Sequence, residues 1–152
     1  MAEHVTLEAI KAQQNILAKM IANFEAHAKT DYVIPEATIV LHAGERYAGL
    51  ILDEEGNPAY HLMLLPGEKD GIEWAAAKEW AAEQGGELPT RREQSLLFAN
   101  LKDQFIPDYY WSSEQYKAIA DHAWYQSFRH GTQDGNGFSA ELCARAVRRV
   151  FI

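Results

Sequence analysis

Asp121, His122, His130 and Asp134 are residue types that hold a divalent metal, and folding could bring them together. Their spacing does not require it, because neither a His-x-His pair nor a His-Glu-x-x-His element occurs. The run Asp134-Gly135-Asn136-Gly137 carries some oxygen donors of a calcium loop but lacks the other ligands and the distal Glu of an EF-hand. Residues 53–57 fall short in the same way and read as a turn. Ser112 and Ser113, with His122 and Asp121, include the residue types of a hydrolase triad, yet no Gly-x-Ser-x-Gly elbow exposes a nucleophile. No phosphate loop or dinucleotide fingerprint is present. The expectation is therefore a protein that is not an enzyme, with no catalytic residue, no metal and no cofactor. Cys143 is the only cysteine, which rules out an internal disulfide, and it reads as a small strand residue.

Residues suited to recognition are better represented. Tyr109, Tyr110, Trp111, Tyr116, Trp124 and Tyr125 crowd into one stretch, and such rings supply contact area at low entropy cost. The four tyrosines interleave with Asp108, Gln115 and His122, a pattern that puts at least two of them at the surface. Side chains alternate across a strand, so if Trp124, Gln126 and Phe128 face the core, then Ala123, Tyr125, Ser127 and Arg129 face away. The expected ligand-binding set is Tyr109, Tyr110, Tyr116, Tyr125, Arg129, His130, Gln133, Asp134 and Asn136, on an open face and the loop beside it. Arg145, Arg148 and Arg149 would suit an anionic nucleotide if aromatic rings lie beside them. In the plainer reading they are solvated strand positions.

These residues need a scaffold, and the pattern supplies an α+β one. Strand signals occur at 38–41, 47–52 and 59–65, the last two joined by a Gly-Asn-Pro turn into a hairpin. Asp70 is placed to cap a helix over 72–84, with Trp74, Ala77 and Ala81 as its inner stripe and Gly85-Gly86 as its stop. Thr90 and Glu93 form a capping box that opens a second helix, whose buried face is Leu96, Leu97 and Leu101. Strands follow at 109–113, 122–128 and 142–151, with a loop of Gly131, Gly135, Asn136 and Gly137 between the last two. Helices set between early and late strands imply that the terminal strands meet in one sheet.

At the other end, Leu7, Ile10, Gln14, Leu17, Ile21, Phe24 and Ala28 recur in alternating steps of three and four, the seam of a coiled coil over about three heptads. Thr6 is the expected N-cap. A helix this short needs a partner, and a single polar Gln14 in the seam is of the kind that sets register and oligomer state. The predicted organisation is an oligomerisation helix over 1–30, a linker and first strand over 31–43, and one domain over 44–152. The expected assembly is a homotrimer.

Charge narrows the partners. The 152 residues carry 22 acidic and 14 basic side chains, a formal charge of -8, which disfavours nucleic acid and anionic membrane as ligands. There is no signal peptide and no apolar run of the ~20 residues that span a bilayer, so cytoplasmic synthesis is expected.

An ordered series of motifs resembles a known family. Trp74 with three alanines, Leu88-Pro89-Thr90, Glu93 with Leu96 and Leu97, Tyr110 to Ser113, Ala123-Trp124 with Phe128 and Gly131, and Arg145 to Arg149 are similar to a domain family of unknown function found in phage, prophage and bacterial surface proteins. The C-terminal domains of collagen-like adhesins belong to it. The resemblance covers about residues 44–152 and implies a C-type-lectin-like fold, two helices on a mainly antiparallel sheet, preceded here by the amphipathic N-terminal helix. It also implies buried Trp111 and Trp124, a binding or display role, and in phage relatives a place on the virion. Two activities do not carry over. The Glu-Pro-Asn or Gln-Pro-Asp and Trp-Asn-Asp elements of calcium-dependent sugar sites are missing, and formylglycine generation needs a cysteine pair that this chain lacks. The expected function is recognition of a host-surface glycan or protein by a homo-oligomer. The alternative is an intracellular prophage accessory protein that sequesters a small anionic ligand or blocks a host factor.

Overall fold

A computed structural model describes residues 4–152. The chain divides into two units, one ending at Ile34 and the other running from Pro35 to Ile152.

The first unit is built on helix α1, Leu7–His27. Thr6 Oγ1 accepts the Ala9 N–H at 3.1 Å and so satisfies one of the free donors at the helix start. The helix stops one residue short of the expected seam, with Ala28 in extended backbone. No residue of α1 is buried. Leu7, Ile10, Leu17, Ile21 and Phe24 are all exposed, from 42% at Ile10 to 73% at Phe24. Among the described residues, no helix is long and apolar enough to cross a membrane.

The second unit contains two sheets. Strands β1 (Arg46–Leu52) and β2 (Pro58–Leu64) form the expected hairpin. Asp53 closes it by accepting the Glu55 and Asn57 N–H groups on Oδ1. Strand β8 (Val147–Phe151) pairs with the other side of β2, so the early and late strands do meet in one sheet. The second sheet has the order β3-β7-β4-β5-β6, from strands β3 (Lys69–Ile72), β4 (Tyr109–Gln115), β5 (His122–Ser127), β6 (Gln133–Gly137) and β7 (Leu142–Ala144). All its pairings are antiparallel except β4 with β7. Helices α2 (Trp74–Glu83) and α3 (Arg91–Leu101) lie between the early and late strands in sequence.

Four local expectations are corrected. Residues 38–41 form no strand. Asp70 lies in β3 and accepts the Cys143 thiol, so it is not a cap, and Glu73 occupies the N-cap position of α2 without a side-chain bond. The glycine-rich run is strand β6, not a loop, because backbone pairing needs no side chain and Tyr125 pairs with Asp134 in register. The turn falls earlier, where the Ser127 carbonyl accepts the Gly131 N–H. Finally, 142–151 is two strands in different sheets. The corner between them is held by Arg145, which donates to the carbonyls of Gln104 and Leu65, and by the Leu65 N–H, which donates to Ala146.

Alternation along β4 divides the core. Tyr110 packs with Leu62, Leu64, Leu97 and Phe128 on one side. Trp111 packs with Trp74, Ala77, Ala81 and Leu88 on the other. The inner stripe of α2 is as expected, while only Leu97 of the three α3 leucines is fully buried. At the end of α2, Gly86 approaches β8 so closely that a Cβ there would stand 2.3 Å from the Val147 carbonyl.

Glu93 joins these parts. The capping box forms, with Thr90 Oγ1 accepting the Glu93 N–H and Glu93 Oε1 accepting the Thr90 N–H. The carboxylate is also 0% exposed, and it accepts from Arg149 Nε at 2.6 Å, Arg149 Nη2 at 2.8 Å and the Tyr60 hydroxyl at 2.7 Å. Burial alone would raise its pKa. The hydrogen bonds from Arg149, Thr90 and Tyr60 outweigh burial and hold it below the ordinary carboxylate value. Burial and the neighbouring carboxylate push Tyr60 up to about 12. Replacing Glu93 by Ala leaves Arg149 without its buried counter-charge, and the loss expected in denaturant unfolding is about 3–5 kcal/mol.

Candidate functional site

The aromatic stretch folds into two clusters on opposite faces of one sheet. Tyr125 and Asp134 are cross-strand neighbours, and the Tyr109 ring meets Tyr125 edge-on at 5.0 Å. Tyr109 is 46% exposed, Tyr125 half-buried and Asp134 exposed. Burial, then Asp134 and Tyr109, raise the Tyr125 pKa. At the end of this face, Pro107, Asp108, Tyr109, Ser127, Arg129 and His130 line a groove of about 200 Å³. The groove floor is set by Ser127, whose Oγ accepts the Arg129 and His130 N–H groups.

On the opposite face Tyr116 meets Trp124 at 4.5 Å, and the Arg91 guanidinium lies 3.4 Å above the Trp124 ring. Tyr116 can sit there because position 135 is glycine, and a Cβ would stand 2.5 Å from the Tyr116 ring. Arg91 is held by its Nε bond to Gln133 Oε1 and its backbone N–H bond to Glu114. Two hollows flank this stack. A cleft of about 640 Å³ has Tyr60, Arg91, Arg92, Ser95 and Phe151 on its wall, and a hollow of about 400 Å³ has Tyr116, Lys117 and Trp124.

The nine expected binding residues therefore have different fates. Tyr109, Tyr125, Arg129, His130 and Asp134 come together on one face and its end groove. Asn136 shares that face, with its Oδ1 accepting the Gly137 N–H. Tyr116 is on the other side. Tyr110 is corrected to a core residue at 1% exposure, because its neighbour Trp111 faces the α2 side and alternation turns Tyr110 inward. Its hydroxyl donates to Glu68 and accepts the Ile106 N–H, and burial raises its pKa. Gln133 is structural, donating to the Arg91 carbonyl and Gln126 Oε1 and so fastening β6 to α3. Trp111 is buried as expected, whereas Trp124 is only half-buried because Tyr116 and Arg91 cover it instead of the core.

Ser112 and His122, considered for catalysis, are tied into local hydrogen bonds. Ser112 is fully buried with its hydroxyl bonded to Glu114, and His122 bonds the Ala120 carbonyl. Among the described residues, no three His, Cys, Asp or Glu side chains are placed to hold a metal. Burial, with Asp70 beside it, raises the Cys143 pKa. All three C-terminal arginines are engaged, Arg145 with carbonyls, Arg148 with Glu45 and Arg149 with Glu87 and Glu93. An anionic ligand would have to displace these partners.

Arg91, Arg92, Glu114 and Tyr60 were not singled out for the site from the sequence. Arg91 and Arg92 carried a signal as adjacent cations at a helix start, but only the fold places Trp124 beneath Arg91. No protein-family model matches the chain, and no curated protein does either.

Two measurements follow from this geometry. Gly135→Ala forces the Tyr116 ring off Trp124. It should cost about 1–3 kcal/mol by thermal or urea unfolding and shift Tyr116 ring resonances in NMR while leaving those of Tyr109 unchanged. Glu45 tests the acid response. Hydrogen bonds from Arg148, helped by the His42 N–H, outweigh burial and hold the Glu45 carboxyl at about 2, against an ordinary value of 4.5. A depressed carboxyl stabilises the fold above the unfolded value and loses that contribution as pH falls through the folded one. The unfolding free-energy gap between wild type and Glu45→Gln should be roughly 1.5–3 kcal/mol at pH 7. It should shrink below pH 4.5 and close near pH 2.

Proposed function

We propose that this protein is a non-enzymatic binding module of phage or prophage type, carried on virions. In this reading α1 assembles it into a homotrimer, and the unit from Pro35 to Ile152 is a C-type-lectin-like head that meets a host-surface glycan or protein. The observation that carries the proposal is the apolar seam of α1, which has heptad spacing and no buried residue in the single chain. A helix of this length is marginal alone in water, and a second and third copy of the same seam give it matching partners. Gln14 in the seam is consistent with a fixed register.

The head reading is supported by the ordered motif resemblance, by two helices set between the early and late strands, and by terminal strands that share a sheet. For the ligand face, Tyr109 and Tyr125 offer aromatic surface on a rigid sheet, while Asp134, Arg129 and His130 offer hydrogen bonds of both signs at its edge. Such a surface suits hydroxyl-rich or polypeptide ligands bound weakly at each head. Three heads on one stalk would then raise the apparent affinity by roughly 10²–10⁴ if all three engage.

Light scattering on the full chain and on the chain lacking residues 1–30 tests the assembly. The expected result is a trimer that falls to a monomer, and an oligomer indifferent to the deletion would refute a role for α1. Binding to host cells tests the face. Tyr109→Ala with Tyr125→Ala should lower it by at least about thirtyfold, the effect of losing a 2 kcal/mol anchor.

A further inference from the structure

Arg145, Arg148 and Arg149 are engaged by internal partners, but two other arginines keep donors to spare. Arg91 uses its Nε on Gln133 Oε1 and one face of its guanidinium on the Trp124 ring, which leaves both Nη groups without a bond. Arg92 is exposed and its side chain makes no hydrogen bond or ion pair among the described residues. Both arginines line the cleft of about 640 Å³, a volume inside the roughly 300–1,000 Å³ that holds a small ligand. All the residues lining it belong to the unit from Pro35 to Ile152.

Three chemistries meet in this cleft. Tyr60 and Phe151 form an aromatic pair, with ring centroids 5.2 Å apart and planes tilted by 49°. The Tyr60 hydroxyl donates to buried Glu93, which fixes that ring, while Phe151 stays 72% exposed. Arg91 is held by Gln133 and Trp124, so its free edge is presented without a further loss of side-chain freedom. The third chemistry is acidic, from Asp53, Glu54 and Glu114. Asp53 Oδ1 already accepts the Glu55 and Asn57 N–H groups, and Glu114 Oε2 accepts the Arg91 N–H. The remaining carboxylate oxygens repel a bare anion but accept hydroxyl groups.

A ligand that satisfies all three carries an anion for the guanidinium groups, a planar ring for the aromatic pair and hydroxyls for the carboxylates. An inorganic anion offers only the first, and a neutral sugar lacks it. We infer that this cleft is a second binding site, for a phosphorylated nucleoside, with the phosphoryl oxygens on Arg91 and Arg92 and the base against Tyr60 and Phe151. A guanidinium edge bonds two phosphoryl oxygens at once, and Arg91 does so while still stacked on Trp124. The base gains an edge or offset contact with the rings. No internal bond has to break, unlike at Arg145, Arg148 and Arg149. The site is separate from the Tyr109 and Tyr125 face, so it stands or falls independently of the proposed function.

The test is an NMR titration of the full chain with adenosine 5′-monophosphate, read at the Tyr60 and Phe151 rings. The expected dissociation constant lies below about 1 mM, with adenosine and inorganic phosphate each weaker by at least about tenfold. Arg92→Ala removes an exposed, unpaired side chain and should leave the thermal unfolding midpoint unchanged. It should weaken nucleotide binding by at least about tenfold, the loss of one charge-assisted contact. Phe151→Ala should weaken it through the base. Arg46→Ala, at the other end of β1 from the cleft, should leave it intact and so separates the site from general charge. No nucleotide binding at millimolar concentration, phosphate binding as tightly as the nucleotide, or full affinity in Arg92→Ala overturns the site.

Discussion

A carboxylate removed from water must be compensated by the protein around it, and at Glu93 the compensation comes from three separate places. Arg149 reaches it from β8, Tyr60 from β2, and the Thr90 N–H from the start of α3. Each donor is useful only if the other elements are in position, so the helix and the three-stranded sheet are held to one arrangement. Replacing such a cluster by apolar side chains of similar volume need not destabilise a protein. What the charge adds is direction, since a carboxylate has few acceptable partners and a leucine has many. The Leu97 side of α3 and the Arg91 stack on Trp124 both inherit the placement that Glu93 gives the helix.

The same constraint explains how the aromatic surface is partitioned. With α3 fixed, one face of the five-stranded sheet is covered by the Leu97, Tyr110 and Phe128 cluster, and Arg91 and Gln133 close its outer edge. α2 covers the opposite face around Trp111 and Ala123 but does not bury Tyr109 or Asp134. The binding surface proposed here is thus what remains after packing has claimed the rest. Its rigidity comes from β4 and β5, each paired on both sides, and its chemistry comes from residues at the rim.

The N-terminal helix follows a different logic. α1 has good periodicity and a capped start, but neither supplies the burial that stabilises a helix in water. Its apolar side chains lie uncovered in the single chain. The proposed function gives the seam of α1 the task of assembly and the aromatic face the task of recognition.

Local signals were legible in the amino-acid order. The β1–β2 hairpin, the Thr90 and Glu93 capping box, the inner stripe of α2 and the helical span of α1 are each set by interactions within a few residues, and the sequence marks each of them to within a few residues at its ends. Long-range partners were not. That Arg149 would face Glu93 across 56 positions, that Gln133 would fasten α3, and that Tyr110 would turn inward while Tyr109 stayed in solvent depend on which strands become neighbours. Gly135 shows the difference most directly. In sequence it marked a loop, and in the fold it is the strand position whose missing Cβ leaves room for Tyr116. Period and capping are properties of a segment, whereas burial and partner choice are properties of the packed whole. The sequence alone therefore determined the α+β class and its local elements, and only the tertiary structure decided which candidate residues share a face and which are buried.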